Sequence, residues 1–590
     1  MKFMPSKDTL HFFILDEISL FQAFLFLALS RRVCIIDAQA RLRVLDKLLK
    51  RFMAFLWRRF PGSKPENALP DMPWYEGDPA GNSIDNFHKA IEDALHAALP
   101  ALAPAHRLGE YAYPMKKAVT DYTGAVTPVL AIIEWFEGAH PVQAFAVHGA
   151  SPHLGRIYEM YFGRHPSFTR TQRTPSARVV NVVNVLTLIA GIVVWLAQRT
   201  RPGFRPKRSY FIGLDLVSGR NHELTLIDQV LDGKAEKALI VYRTPALKKE
   251  FSERFIGVPQ CVLSDTKVSV SDALYLVTCS VRDAVGLWFS HGGVEAQLFQ
   301  RYCFLAVKRS IFSAFLRCFP VTWFWGRDDY SLDHIIRNQE LRKLGGKSIG
   351  MNHAVNRDTY QHQWREIDFD VFYTFDSMTY EKFHKDSWPA HMRVRSINSD
   401  NLTAERKKKA CGPRPQDIVY FPVVHRYSDY LLGEVFKIAR HFPERIVYVK
   451  MKAGRPEANM KDFRRLMATA PDNVRDIEPL DSSYDLMLDA TYILNCGSTL
   501  AVEALQFRSI SLVFDVEPRF RYFFYRNVPG MIVKSAEDVI AKIEAHEEGS
   551  EKYPFEDYVS MLGLNEEDFY LTVRRDLGIE DDAATMAPLT

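Results

Sequence analysis

Asp489-Ala-Thr-Tyr-Ile-Leu-Asn-Cys-Gly-Ser-Thr-Leu-Ala-Val-Glu-Ala-Leu505 is the stretch whose reading decides the fold. Tyr492–Leu494 has the length and apolar character of a short buried strand. Asn495, Cys496 and Gly497 break it. Ser498 or Thr499 is then placed to cap a helix that runs through Glu503 and Leu505. A strand, a turn of small residues and a capped helix make an anion site, because free N–H groups and the helix dipole face an arriving phosphate. Glu503 lies about one helical turn further in. A carboxylate there can accept hydrogen bonds from the two vicinal hydroxyls of a ribose. Phosphate at the cap and ribose one turn on suit a nucleoside diphosphate. The same residues also describe an ordinary strand–turn–helix with a surface glutamate. Ser509–Asp515 reads as the next strand, so the whole is a βαβ unit.

Gly497-Ser498-Thr499 followed by Glu503 in a C-terminal βαβ unit resembles the donor-nucleotide signature of GT-B glycosyltransferases. The likeness is above all to those that build bacterial capsule and surface polysaccharide, and to the related CDP-glycerol glycerophosphotransferases. Non-hydrolysing sugar-nucleotide epimerases share the fold and much of the pattern. The resemblance covers roughly residues 209–545. It implies that this helix start holds the diphosphate and that Glu503 holds the ribose.

At 590 residues the chain is too long for one core and suggests two to four domains. A net charge of +4 over that length gives no general affinity for nucleic acid. The seven cysteines are scattered, with no CxxC or Cys/His spacing, which argues for a reducing cytosol and against a zinc site or disulfide framework. The start lacks a signal peptide's basic region followed directly by an apolar run and cleavage site.

His11–Leu15, Ser19–Ser30 and Val33–Asp37 read as strand, apolar helix and strand, a βαβ opening preferred to a membrane span because Asp16, Glu17, Arg31 and Arg32 interrupt it. Ala40–Phe60 interleaves arginine and lysine with leucine and phenylalanine. That is a basic amphipathic helix, either lying on an anionic membrane surface or packing on a core with a solvated basic face. Asp85–Ala98 reads as a helix; Tyr158, Tyr161, Phe162 and His165 are an aromatic group suited to core or to an acceptor pocket. Val179–Ala197 is the longest apolar run, flanked by Arg173 and Arg178 before and by Arg199, Arg201, Arg205, Lys207 and Arg208 after. It is read first as a helix embedded in the membrane interface, then as a buried inter-domain helix, then as a span.

From Ser209 strands and helices alternate as in a parallel, doubly wound sheet. Val321–Trp325 is a strand with Asp328 and Asp329 just past its carboxyl end, where ligands bind in open α/β sheets. Lys347-Ser-Ile-Gly350 is a strand ending near His353. The resembled families show a similar strand ending in a His-Gly pair, whereas here Ala354 follows His353. His353 and one aspartate of the 328–329 pair are candidate catalytic bases; His353 also suits a structural role. Ser396–Pro415 reads as a polar linker. In the last domain Lys450, Lys452 and Arg455 stand at the end of the strand Arg445–Val449, either as an ordinary basic loop or, as the resemblance implies, with a lysine against the donor phosphates. Arg519, Arg521 and Arg526 form a basic aromatic loop. Residues 555–576 are placed to cross back to the first Rossmann-like domain, as GT-B C-terminal helices do.

The expected fold is α/β, with two Rossmann-like domains (GT-B) and an N-terminal membrane-associated helical elaboration. The expected division is 1–208, 209–400 (acceptor side), a linker at 401–416, 417–545 (nucleotide donor) and C-terminal helices with a tail at 546–590. The expected activity is transfer of a sugar from a nucleotide-sugar donor to a growing surface polysaccharide or lipid-linked glycan. Gly497, Ser498, Thr499, Glu503, Lys450 and Lys452 would hold the donor. Neutralising the leaving diphosphate with N–H groups and lysine calls for no metal and no cofactor. The protein would sit in the cytoplasm, peripheral or monotopic on the inner leaflet. The alternatives are a CDP-glycerol-type glycerophosphotransferase, a sugar-nucleotide 2-epimerase and a non-catalytic scaffold.

Overall fold

The structure, a computed structural model, describes residues 10–14, 33–36, 109–124, 145–148, 177–206, 208–216, 222–294, 296–326, 331–352, 365–422, 428–451, 457–478, 482–496, 498–514, 525, 528–564 and 567–579. The expected helices at 19–30, 40–60 and 85–98, the aromatic group at 158–165 and the loop arginines Arg519, Arg521 and Arg526 lie outside them. The chain forms two compact units: residues 1–200 with 270–311, and residues 201–269 with 312–590.

The first unit holds a three-stranded parallel sheet. β1 (Leu10–Ile14) lies between β2 (Val33–Ile36) and β3 (Phe145–His148). Phe12 pairs with Cys34, the parallel partnership that a βαβ opening requires. β3 falls in a stretch the sequence leaves unplaced. α1 (Ala112–Gly124) follows Tyr111, whose hydroxyl donates to Asp283 at 2.6 Å. α2 (Ala177–Arg199) carries the long apolar run. Its polar break, Asn181, is fully buried, while most of the helix surface is exposed. It is therefore not the buried inter-domain helix that was one of its three readings.

Next come β4 (Tyr210–Leu216), α3 (His222–Val230), β5 (Ala238–Tyr242), α4 (Pro245–Phe251) and β6 (Gln260–Val262). Two long helices follow, α5 (Val270–His291) and α6 (Ala296–Cys318), then β7 (Val321–Gly326), α7 (Leu332–Lys343), β8 (Lys347–Met351), β9 (Val371–Thr374) and β10 (Arg393–Ser396). The seven strands are all parallel, in the order β10-β9-β8-β7-β4-β5-β6. The order reverses between β4 and β7, which makes the carboxyl ends of those strands the crevice of the sheet. Every residue of β5 is buried, as expected of a strand covered on both faces. In Lys347-Ser-Ile-Gly350, a Cβ on Gly350 would stand 2.6 Å from the Phe369 ring, so close packing explains that glycine.

The polar stretch Ser396–Pro415 runs from β10 to the last sheet. It holds α8 (Ala404–Ala410), capped by Thr403, and Leu402 and Ala410 bury against Leu488 and Phe507. The last sheet is built from β11 (Ile418–Phe421), α9 (Ser428–His441), β12 (Val447–Lys450), α10 (Glu457–Met467), β13 (Val474–Ile477), α11 (Ser483–Leu488), β14 (Tyr492–Asn495), α12 (Leu500–Gln506), β15 (Ile510–Phe514), β16 (Ile532–Val533) and α13 (Ala536–Glu547). Its order is β13-β12-β11-β14-β15-β16, again parallel. The fold is thus α/β with two Rossmann-like sheets.

α14 (Phe555–Leu562) and α15 (Phe569–Asp576) return to the seven-stranded sheet. Gly563 ends α14 in the left-handed region, φ +62°, where a side chain is strained. Its carbonyl accepts from Ser377 N (3.1 Å) and Ser396 Oγ (3.0 Å). Phe569 meets Trp325 and Tyr373 edge-on, at 6.0 and 5.9 Å between ring centroids. Asp576 accepts from the Tyr373 hydroxyl (2.8 Å) and pairs with Arg393 (2.7 Å).

Candidate functional site

β11 is central at the carboxyl edge of the last sheet. Phe421 pairs with Asn495 of β14, and the register Tyr420–Val449 brings Lys450 of β12 level with Phe421. Lys450 and Asn495 therefore stand two strands apart, about 10 Å. Strand alternation puts both on the face that carries Val419 and Ile493, where Ala504 of α12 also packs. Sequence-distant Lys450 and the start of α12 thus share one edge and one face. Lys450 is itself buried.

Of the two residues placed to cap α12, Ser498 makes a bond to the helix start and Thr499 does not. Thr499 has helical dihedrals and its side chain makes no capping bond. The start is organised by Asn495, whose Oδ1 accepts from Ser498 N at 3.2 Å. Ser498 Oγ accepts from Leu500 N at 3.4 Å, and its carbonyl accepts from the Tyr525 hydroxyl at 2.7 Å. Ala501, Val502 and Glu503 donate their N–H groups to Ser498 and Thr499 carbonyls. An asparagine at the strand end reaches forward to hold the turn, and Ser498 then takes the first helical N–H. Among the described residues of the turn, the N–H groups of Ser498 and Leu500 are engaged by side chains of the turn itself, and Lys450 is a cation on the same edge.

Glu503 is buried, at 3 % exposure, so it is not the surface glutamate of an ordinary strand–turn–helix. Ser399 Oγ donates to its Oε1 at 2.7 Å, and Ser399 N donates to Gln506 Oε1 at 2.9 Å. The next residue, Asp400, accepts at its carbonyl from the Tyr570 hydroxyl of α15 at 2.6 Å. The segment leaving β10 is thus clasped between α12 and the C-terminal helices. Ser399 was not singled out from sequence; a lone serine in a polar stretch carries no signal.

A second group missed by the sequence lies at the carboxyl ends of β4 and β5. Buried Asp215 accepts from Arg243 Nε (3.2 Å) and Nη2 (2.6 Å) and from Arg337 Nη1 (2.9 Å). A buried carboxylate with two guanidinium partners is well compensated. The available signal was an aspartate inside an otherwise apolar strand. Beside it β7 and β8 end together, with Gly326 paired to Gly350. The candidate bases Asp328, Asp329 and His353 follow those two strands and lie outside the described residues, as do Lys452 and Gly497.

No family model matches the chain, and no curated protein does. Among solved structures it is similar to a glycosyltransferase from Rickettsia africae, with 12 % identity over 63 % of this chain and 98 % of that one and a TM-score of 0.35. It is also similar to UDP-GlcNAc 2-epimerase from Neisseria meningitidis bound to UDP-GlcNAc (11 %, 63 % and 100 %, TM-score 0.40). A third is MurG from Acinetobacter baumannii (12 %, 63 % and 99 %, TM-score 0.37). Likenesses this distant carry no weight for function. The two Rossmann-like sheets rest on the chain's own strand order.

Proposed function

We propose that this chain is a GT-B-type glycosyltransferase that moves a sugar from a nucleotide-sugar donor to a growing surface polysaccharide or lipid-linked glycan. The observation that carries the reading is the shared edge of Lys450, Asn495 and the start of α12, followed one turn later by Glu503. A diphosphate against Lys450 would be neutralised in a partly desolvated place, where charge counts most. The ribose would exchange a hydroxyl for the Ser399 hydroxyl on Glu503, one donor for another. Lys452, Gly497, Ser498 and Thr499 complete the donor group in this reading. His353 or one of Asp328 and Asp329 would take the acceptor proton, past the ends of β7 and β8. No metal is needed for these steps. A glycerophosphotransferase or an epimerase would use the same donor edge.

The scaffold reading draws on one observation of its own: Glu503 is already buried and partnered by Ser399. One experiment separates the readings. Melting of the full chain is followed with UDP, GDP, CDP, CMP and ADP, for wild type and Glu503→Ala. The transferase reading expects one nucleotide to raise the wild-type midpoint and not that of the variant. Folded wild type that responds to none of them overturns it in favour of the scaffold.

A further inference from the structure

α2 has 23 residues and no carboxylate. Only a narrow stripe of it is covered. Asn181, Val185, Ile192 and Leu196 are buried, at spacings of four and seven residues that draw one seam along the helix. Around that seam Val179, Val183, Leu186 and Val194 are 56–61 % exposed. The seam lies against α5. That helix buries Ala273, Leu276, Ser280, Ala284 and Leu287, and turns Leu274, Tyr275 and Phe289 outward at 55–71 % exposure. Single exposed apolar residues need no explanation, but apolar faces on two adjoining helices do.

The charge pattern says what covers them. Every charged side chain between Glu159 and Asp215 is basic. Arg178 stands at the start of α2, Arg199 is its last residue, and Arg201, Arg205 and Arg208 follow. A face that is apolar along its length and arginine-rich at both ends matches an anionic bilayer interface, with acyl chains for the middle and headgroup phosphates for the ends.

The packing also sets the orientation. Asn181 Nδ2 donates to the carbonyls of Gly292 (3.0 Å) and Val294 (2.9 Å), and Trp288 Nε1 donates to the Arg178 carbonyl (3.2 Å). These bonds tie the start of α2 to the end of α5, so the two helices run antiparallel. At about 1.5 Å per residue α2 is long enough to cross a hydrocarbon core of about 30 Å. α5 would have to cross with it, and its middle carries Arg282, 73 % exposed, and Asp283. Taking that arginine into hydrocarbon is costly, whereas at the interface it reaches headgroups from among Tyr275 and Phe289.

We propose that α2 and α5 together form a docking face for the surface of an anionic bilayer, with α2 lying in the interface and not across it. The proposal goes beyond the nucleotide reading and does not depend on it, since every residue it uses is remote in sequence from the donor edge. The test is flotation of the full chain with vesicles of phosphatidylcholine alone or mixed with phosphatidylglycerol. The wild type is expected to float with the mixed vesicles, less with phosphatidylcholine, and less at high salt. Val183→Glu with Leu186→Glu changes two exposed positions and spares the seam; that variant is expected to keep its circular dichroism and to remain unbound. Wild type that floats with neither vesicle, or a variant that floats equally well, overturns the proposal. So does a wild-type dimer that the double variant dissolves, because the face then meets a second copy. Orientation is read with Arg178→Cys and Gln198→Cys, each labelled on intact vesicles by a membrane-impermeant maleimide and compared with the parent protein. Labelling of both is expected; protection of one until detergent is added shows a span and overturns the interfacial placement.

Discussion

Ser399 Oγ donates to Glu503 Oε1 at 2.7 Å across 104 residues of sequence, and both side chains are buried. One hydroxyl from the segment behind β10 therefore occupies the carboxylate that the donor reading reserves for ribose. Removing it should have two opposite effects. Ser399→Ala leaves a buried carboxylate short of a donor, at a cost of about 1–3 kcal/mol, seen as a lower melting temperature without ligand. The same change removes the competitor for Glu503, so the shift produced by the responding nucleotide should grow. Glu503→Ala should abolish that shift. If both variants weaken nucleotide binding alike, the exchange of hydroxyls is wrong.

Lys450 is a cation of the same edge. Lys450→Met keeps the length of the side chain and removes the charge. Loss of hydrogen bonds to a charged group, about 1.5–3 kcal/mol, corresponds to a roughly tenfold or greater loss of affinity for a nucleoside diphosphate. The nucleoside without phosphate should bind the two proteins equally. Titration calorimetry with both ligands reads the difference; a variant equally impaired for both would place Lys450 in the fold and not at the phosphates.

Asp576 joins the C-terminal helices to the seven-stranded sheet through Arg393, Arg395 and Tyr373, while its own side chain is only 2 % exposed. Burial is the first cause that raises the Tyr373 phenol well above its usual range, followed by the Asp576 charge. Asp576→Ala leaves the Tyr373 hydroxyl without its acceptor and two partly exposed arginines without their partner, a loss of about 1–3 kcal/mol. Limited proteolysis should then release the segment after Leu562 well before the sheets are cut. Wild-type resistance in the variant would show that apolar contacts such as Phe569 on Trp325 hold the helices unaided.

His384 is buried and stacked on Trp388 at 4.5 Å. Burial, with some help from Arg365, lowers its pKa from 6.5 to about 4. The unfolded chain therefore binds a proton that the folded chain refuses between those two values. Stability from this group is complete above pH 6.5 and is lost as pH falls toward 4, by about 1.4 kcal/mol per pH unit. Melting of wild type should fall more steeply through that window than melting of His384→Phe. Parallel curves would mean that the imidazole is protonated inside the fold.

Much of the architecture is legible in the sequence. Runs such as Ala238–Tyr242 and Tyr492–Asn495 are short, apolar and bounded by turn residues, and those are local properties. The strands that escaped reading are short or polar: β3, β10 with its two arginines, and the two-residue β16. A strand of that kind exists because a neighbouring strand offers hydrogen bonds, not because its own residues demand it. The helix inside the polar stretch Ser396–Pro415 escaped for a similar reason. Its lysine-rich face hides the buried Leu402 and Ala410 that anchor it.

By itself the sequence determined the α/β alternation, the strand–turn–helix at Asn495 and the uniformly basic surroundings of the apolar run, because periodicity, turn chemistry and charge are written in neighbouring residues. Only the tertiary structure decided that Asn495 and not Thr499 organises the start of α12, that Lys450 stands level with it, and that Ser399 already holds Glu503. It also chose Arg243 and Arg337 as the partners of Asp215, the latter 122 residues away. The physical reason is common to all of these. Strand order and helix packing bring residues together across long loops, and a short polar contact depends on that closure, of which no local stretch of sequence holds a record.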